Sequence, residues 1–125
     1  MLRNAYQYAQ RRGHFIMVVE LNEYQKQAAN TAVYPDKAAL EYLTLGLLAE
    51  AGELAGHYAK WLRQDSKLQP YPAEAVMAEA GDVLWFISEL ARLHNKSLSH
   101  LAQENLDKLS SRQKRGKLKG NGDYR

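Results

Sequence analysis

Four carboxylates decide what chemistry this chain can do. Glu50 and Glu53 stand three residues apart in Glu50-Ala-Gly-Glu53, and Glu79 and Asp82 repeat the spacing in Glu79-Ala-Gly-Asp82. Both pairs sit in Ala- and Leu-rich runs with helical periodicity. In a helix, residues i and i+3 share a face, about one turn apart. Each segment therefore presents two carboxylates in one direction, and side-by-side packing of the two helices brings four together. Four carboxylates without a compensating base repel one another strongly. A cation between them is the expected remedy, and all-oxygen ligation suits Mg²⁺, or Mn²⁺ in its place, better than zinc. A di-iron bundle would need Glu-x-x-His. Here no histidine lies three residues after any of the four acids, and His57 is four after Glu53. No Walker loop, zinc-protease His pair or catalytic triad stands out. Hard-ion chemistry on phosphates is the expectation. Either acidic pair alone would read as a solvated helix face; the repeat in the next helix, beside small residues, argues otherwise.

The elements that must position these acids are four helices. The first runs from about Asn22 to Val33, with Asn22 as its cap and Gln25 at N3. Tyr34-Pro35-Asp36 stops it. Asp36 caps the second, from about Lys37 to Gln64. Its apolar stripe is Leu40, Leu43, Leu47, Leu54, Tyr58 and Leu62. Gly46, Glu50, Glu53, His57, Lys60 and Gln64 form a narrow polar stripe of their own. Gly46, Gly52 and Gly56 each cost helix stability, roughly 1 kcal/mol relative to Ala. Close approach of another helix along Ala49, Gly52, Gly56 and Ala59 is the expected compensation. The third helix runs from about Ala73 to His94 with Pro72 in its first turn. Val76, Val83, Leu84, Ile87 and Leu90 are its core candidates, and Trp85 and Phe86 also read as core. Ser97 caps the fourth, which extends to about Arg112 and carries Leu98, Leu101, Leu106 and Leu109. Glycines and a charge run argue against helix beyond. No strand pattern emerges, so the fold class is all-α, of four-helix-bundle type.

At 125 residues the chain is long enough for one domain with a real core. It has no cysteine, which excludes disulfides, thiolate zinc sites and cysteine nucleophiles and fits a cytoplasmic setting. No apolar run reaches membrane-spanning length, so no membrane partner is expected. The formal net charge of +3 hides a split. Residues 1–19 are basic and free of acids, residues 20–107 are acidic, and residues 108–125 are basic again. The start of the chain admits two readings, a transit peptide or an extension preceding an alternative start at Met17. The basic tail could hold nucleic acid by counterion release. Only Tyr124 supplies an aromatic there and no helix-turn-helix signature is present, so nucleic acid is not the expected partner.

Several segments together resemble the short MazG-like nucleoside triphosphate pyrophosphohydrolases. They are Leu45-Gly-Leu-Leu-Ala-Glu50-Ala-Gly-Glu53-Leu-Ala, Glu79-Ala-Gly-Asp82-Val-Leu-Trp-Phe, Asn105-Leu-Asp-Lys108-Leu-Ser-Ser-Arg112 and Gly120-Asn-Gly-Asp-Tyr-Arg125. The resemblance covers residues 20–125 in order. It departs from the many relatives with adjacent glutamates in the first motif, since Ala49 and Ala51 flank Glu50 here. It implies a helical MazG-like domain over 20–112, with residues 1–19 as an extension and residues 113–125 as a basic tail. It further implies hydrolysis of an NTP or dNTP to the monophosphate and pyrophosphate. Glu50, Glu53, Glu79 and Asp82 would hold Mg²⁺, and Glu50 or Glu53 would act as general base toward water attacking the α-phosphorus. Asn105 and Lys108 match substrate-contacting positions. Lys60, Arg112 and Arg115 are phosphate-contact candidates, and Tyr24, Gln25 and Trp61 candidates for the base pocket. His57 reads as lying behind the ligands or on the surface. Specificity for dCTP or dUTP, or for phosphoribosyl-ATP, would follow the same logic.

A dimer or a dimer of dimers is expected. Leu45, Leu47, Leu48, Val83, Leu84, Trp85, Ile87 and Leu90 spread around more of the second and third helices than one core face needs. The resemblance points the same way.

Overall fold

Pro72 and Ser97 occupy the cap positions at the starts of the last two helices. The computed structural model describes residues 18–63 and 69–119. Helix α1 spans Leu21–Ala29. A single 3₁₀ turn, Asp36–Ala38, leads into α2, Ala39–Arg63. Helix α3 spans Ala73–Leu93 and α4 spans Leu98–Lys114. No strand occurs among the described residues, so the all-α expectation stands. No described helix is long and apolar enough to cross a membrane. The expected extension lies almost wholly outside the described residues, as do Gln64 and Gly120 to Arg125 of the tail.

Helices α2 and α3 form the main pair, and α1 and α4 pack against α3. Two left-handed residues end α3 and α4. Asn95 has φ 54° and Gly116 has φ 65°. Each sits in a Schellman arrangement: Lys96 N–H donates to Ala91 O at 2.9 Å, and Lys117 N–H to Arg112 O at 2.7 Å. Helix α4 therefore runs two residues past the expected stop at Arg112, until Gly116 can take the backbone conformation that closes it.

Asn22 corrects one expectation. The cap position of α1 is Glu20, and α1 ends at Ala29, four residues short of Val33. Asn22 Oδ1 instead accepts from Ser99 N–H at 3.0 Å, and Gln25 Oε1 accepts from Leu98 N–H at 3.1 Å. Ser97 Oγ takes His100 N–H, as its position foretold. The open N–H groups of α4's first turn are thus satisfied largely by α1, a helix more than seventy residues away in sequence.

The seam between α2 and α3 is not centred on the leucine stripe. Leu43, Val76 and Phe86 are buried, but Leu40, Tyr58 and Leu62 are exposed, as are Leu84, Leu106 and Leu109. The face of α2 turned to α3 carries Ala39, Leu43, Gly46, Glu50, Glu53 and His57, successive points on one helical face. Gly46 supplies the close approach: a Cβ there would overlap the Phe86 ring. Gly52 and Gly56, where helix approach was also expected, meet no atom within 4 Å of such a Cβ. Phe86 contacts Tyr42 and Trp85, with centroids 5.9 and 4.9 Å away. Trp85 is half-buried, and its indole N–H donates to Thr31 Oγ1 at 2.7 Å.

Above this packing, Glu89 is fully buried. Arg92 donates to Glu89 Oε2 at 2.6 Å, and Tyr34 O–H donates to the same oxygen at 2.5 Å. Burial alone would raise the Glu89 carboxyl, but the hydrogen bonds from Arg92 and Tyr34 outweigh it and hold its pKa below the usual range.

Candidate metal centre

One turn beyond Gly46 the same seam becomes acidic. Glu50 and Glu53 project from α2, and Glu79 meets them from α3. One oxygen of each lies within 4.8 Å of the others. Asp82 stands outside that set but close enough for its charge to act on Glu50. Glu50 and Glu79 are half-buried, whereas Glu53 and Asp82 are exposed. Burial first, then the charges of Glu53, Asp82 and Glu79, raise the Glu50 carboxyl above its ordinary value. The fold therefore assembles like charges at a helix interface where apolar side chains would have packed. The donors are all carboxylate oxygens, which suits a hard divalent cation. His57 closes the cluster on one side, with Nε2 3.0 Å from Glu79 Oε1.

The other expected site residues fall into three groups. Tyr24, on α1, is half-buried and senses Asp82: burial, then that charge, raises its phenol. It thus approaches the acidic cluster from a third helix. Gln25, one residue on, is committed elsewhere. Its amide nitrogen donates to Ser88 O at 3.2 Å and Lys96 O at 3.1 Å, while its oxygen caps α4.

Trp61 lies at the end of α2, one turn past His57. It stacks on Tyr58 with centroids 5.5 Å apart and meets Tyr71 edge-on at 5.6 Å. Its indole N–H donates to Gln69 O at 3.0 Å. Tyr58 and Tyr71 had not been singled out beside it. Tyr58 was legible, three residues before Trp61 on one helix; Tyr71 was not, because its place depends on how the chain returns to α3. Lys60 is exposed on the same turn.

Asn105, Lys108 and Arg115 are exposed positions on or just after α4, and α4 packs on α1 and α3 rather than α2. Arg112 is buried, only 5% exposed. The structure thus joins Glu50, Glu53 and Glu79, with Asp82 and Tyr24 near them, and keeps the α4 candidates on a separate helix.

Comparison with known proteins shows the family. The model of the MazG nucleotide pyrophosphohydrolase domain matches residues 39–116, which include all of α2, α3 and α4. The chain belongs to the MazG nucleotide pyrophosphohydrolase family. It is also similar to the Gene 37 protein of Mycobacterium phage L5, 40% identical over 109 residues, covering 82% of this chain and 96% of that protein. No solved structure gives a significant match.

Proposed function

We propose that the chain hydrolyses a nucleoside triphosphate to the monophosphate and pyrophosphate, with Mg²⁺ held by Glu50, Glu53, Glu79 and Asp82. The observation that carries this reading is the meeting of three carboxylates within 4.8 Å, in a chain of this family. A divalent cation bound there supplies positive charge against the triphosphate and makes water more acidic. Glu50 or Glu53 receives the proton of the attacking water. Lys60, exposed on α2 about two turns past Glu53, takes a phosphate oxygen. Trp61 and Tyr24 flank the nucleoside, Trp61 by stacking. Asn105, Lys108 and Arg115, exposed on or just after α4, complete the substrate contacts.

The working unit is a dimer or a dimer of dimers. Leu45 is 67% and Leu48 71% exposed, and Gly52 and Gly56 lie open beside them. A contiguous apolar strip of this kind is unusual on a monomer. A two-fold partner would cover it.

The test is incubation of the purified protein with each NTP and dNTP plus Mg²⁺, with products separated by ion-exchange chromatography. Monophosphate and pyrophosphate are expected. Release of nucleoside diphosphate and inorganic phosphate, or no turnover across the panel, would refute the reading. Turnover confined to dCTP or dUTP, or obtained only with phosphoribosyl-ATP in an extended panel, would redefine its substrate.

A further inference from the structure

We infer that His57 is a positioning residue for Glu79, holding one carboxylate oxygen so that the other stays turned toward the cation site. The inference rests on the proposed metal-dependent reading. His57 lies one turn after Glu53 on the seam face of α2 and reaches across to α3. Its Nε2 is 3.0 Å from Glu79 Oε1, with the imidazole 32% and the carboxylate 16% exposed.

Three points give this contact a role beyond joining two helices. First, Glu79 is one of three acids whose oxygens crowd within 4.8 Å. Mutual repulsion drives such a side chain outward, and a glutamate has three torsions with which to comply. A donor that holds one of its oxygens opposes that drift. Second, His57 stands outside the set of converging ligand atoms, although it touches one member of it. An Nε2 that donates its proton to Glu79 has no lone pair on that atom for a cation, so its part is to orient. Third, a carboxylate offers two oxygens. The hydrogen bond engages Oε1; with that oxygen held, Oε2 would be the one offered to the cation, and a mobile ligand would gain a set direction. Groups that orient metal ligands typically matter by about 10- to 100-fold in metal affinity.

The experiment titrates Mn²⁺ into wild type, His57→Leu and His57→Gln by isothermal calorimetry, alongside Mg²⁺-dependent turnover and thermal unfolding of metal-free protein. His57→Leu is expected to weaken Mn²⁺ binding about tenfold. The Mg²⁺ needed for half-maximal turnover should rise in parallel, and kcat at saturating Mg²⁺ should largely recover. His57→Gln, which keeps a donor at a similar reach, should restore most of the affinity. In a Glu79→Gln background, His57→Leu should have little further effect on Mn²⁺ binding, because the two act as one unit.

Unchanged Mn²⁺ affinity in His57→Leu overturns the inference while leaving the metal reading intact. So does a fall in unfolding temperature without a fall in affinity, the mark of a purely structural tie. Nitrogen coupling to bound Mn²⁺ in pulsed electron paramagnetic resonance, lost in His57→Leu, would make His57 a ligand and also overturn it. A wild-type protein that binds no Mn²⁺ and hydrolyses nothing removes the metal reading itself, and the inference with it.

Discussion

Around Gly46 the seam between α2 and α3 is closed by packing; around Glu50, one turn on, it is lined with charge. Both stretches belong to the same two helices in the same register. In the first, a missing side chain admits the Phe86 ring and Leu43 is fully buried. In the second, Glu50, Glu53 and Glu79 converge. The contrast is sharpest between two carboxylates. Glu89 is completely buried yet held below the usual pKa, because Arg92 and Tyr34 stabilise its charge. Glu50 is only half-buried yet pushed above it, because burial and three acids oppose its charge. A protein arranged for stability alone would treat both in the first way. The packed half holds the helices together, and the acidic half, the proposed cation site, is thereby kept converged.

The largest expected effect tests whether the acidic half carries the chemistry. Glu53→Gln and Asp82→Asn should each reduce Mg²⁺-dependent turnover by at least about 100-fold with helical circular dichroism unchanged. Normal rates in both would erase the distinction between the halves. Next comes Arg92→Ala, which strands the Glu89 charge. A loss of about 3 kcal/mol in a urea titration is expected, the low end for a broken buried pair because the guanidinium reaches solvent. Sign and pH range follow from the lowered Glu89 carboxyl: its contribution is complete above the ordinary carboxylate range, near pH 4.3. It is lost as pH falls through the lower folded-state value. Arg92→Ala and wild type should therefore converge in stability under strong acid.

A smaller effect is expected from Gly46→Ala, about 1 to 3 kcal/mol for forcing the Phe86 ring aside. Gly52→Ala, in open space within the chain, should gain up to about 1 kcal/mol. If light scattering shows a dimer that Gly52→Leu converts to monomer, that glycine belongs to the partner's interface. The smallest effect concerns Glu50. Because its folded pKa is raised, ionisation costs the metal-free fold stability as pH rises through that value. Glu50→Gln should stabilise metal-free protein at neutral pH by a few tenths of a kcal/mol. With saturating Mg²⁺ the order should reverse, since only wild type keeps the full ligand set. Calorimetric unfolding with and without Mg²⁺ reads both signs.

Much of this division was legible in the sequence. Pro72 and Ser97 announce the starts of α3 and α4 because each acts through local geometry. The acidic convergence follows from two i, i+3 pairs and the assumption that neighbouring helices pack. What local pattern does not carry is the angle at which two helices meet. The leucine stripe suggested a seam through Leu40, Tyr58 and Leu62, but the space at Gly46 turns α2 so that those residues face outward. Asn22 misled for a related reason. Its side chain was read against its own helix, whereas its partner, Ser99 N–H, is brought near only by tertiary folding. His57 was legible as a neighbour of the acids, but its contact with Glu79 required the register of α3.

The capping of α4 by α1 bears on the order in which the molecule assembles. Helices α2 and α3 are consecutive, so their pairing closes a short stretch of chain. The bonds from Leu98 and Ser99 to Gln25 and Asn22 span 73 and 77 residues, and such closure repays its entropic cost only after the intervening helices are in place. Helix α1 is nine residues long, too short to persist alone in water. It is therefore the natural last element to dock and the first to lift. When it lifts, the amides of Leu98 and Ser99 lose their acceptors together, and Tyr24 leaves the neighbourhood of Asp82. Backbone hydrogen exchange at those two amides becomes a reporter of how often the acidic cluster is uncovered, read from a helix end that takes no part in its chemistry.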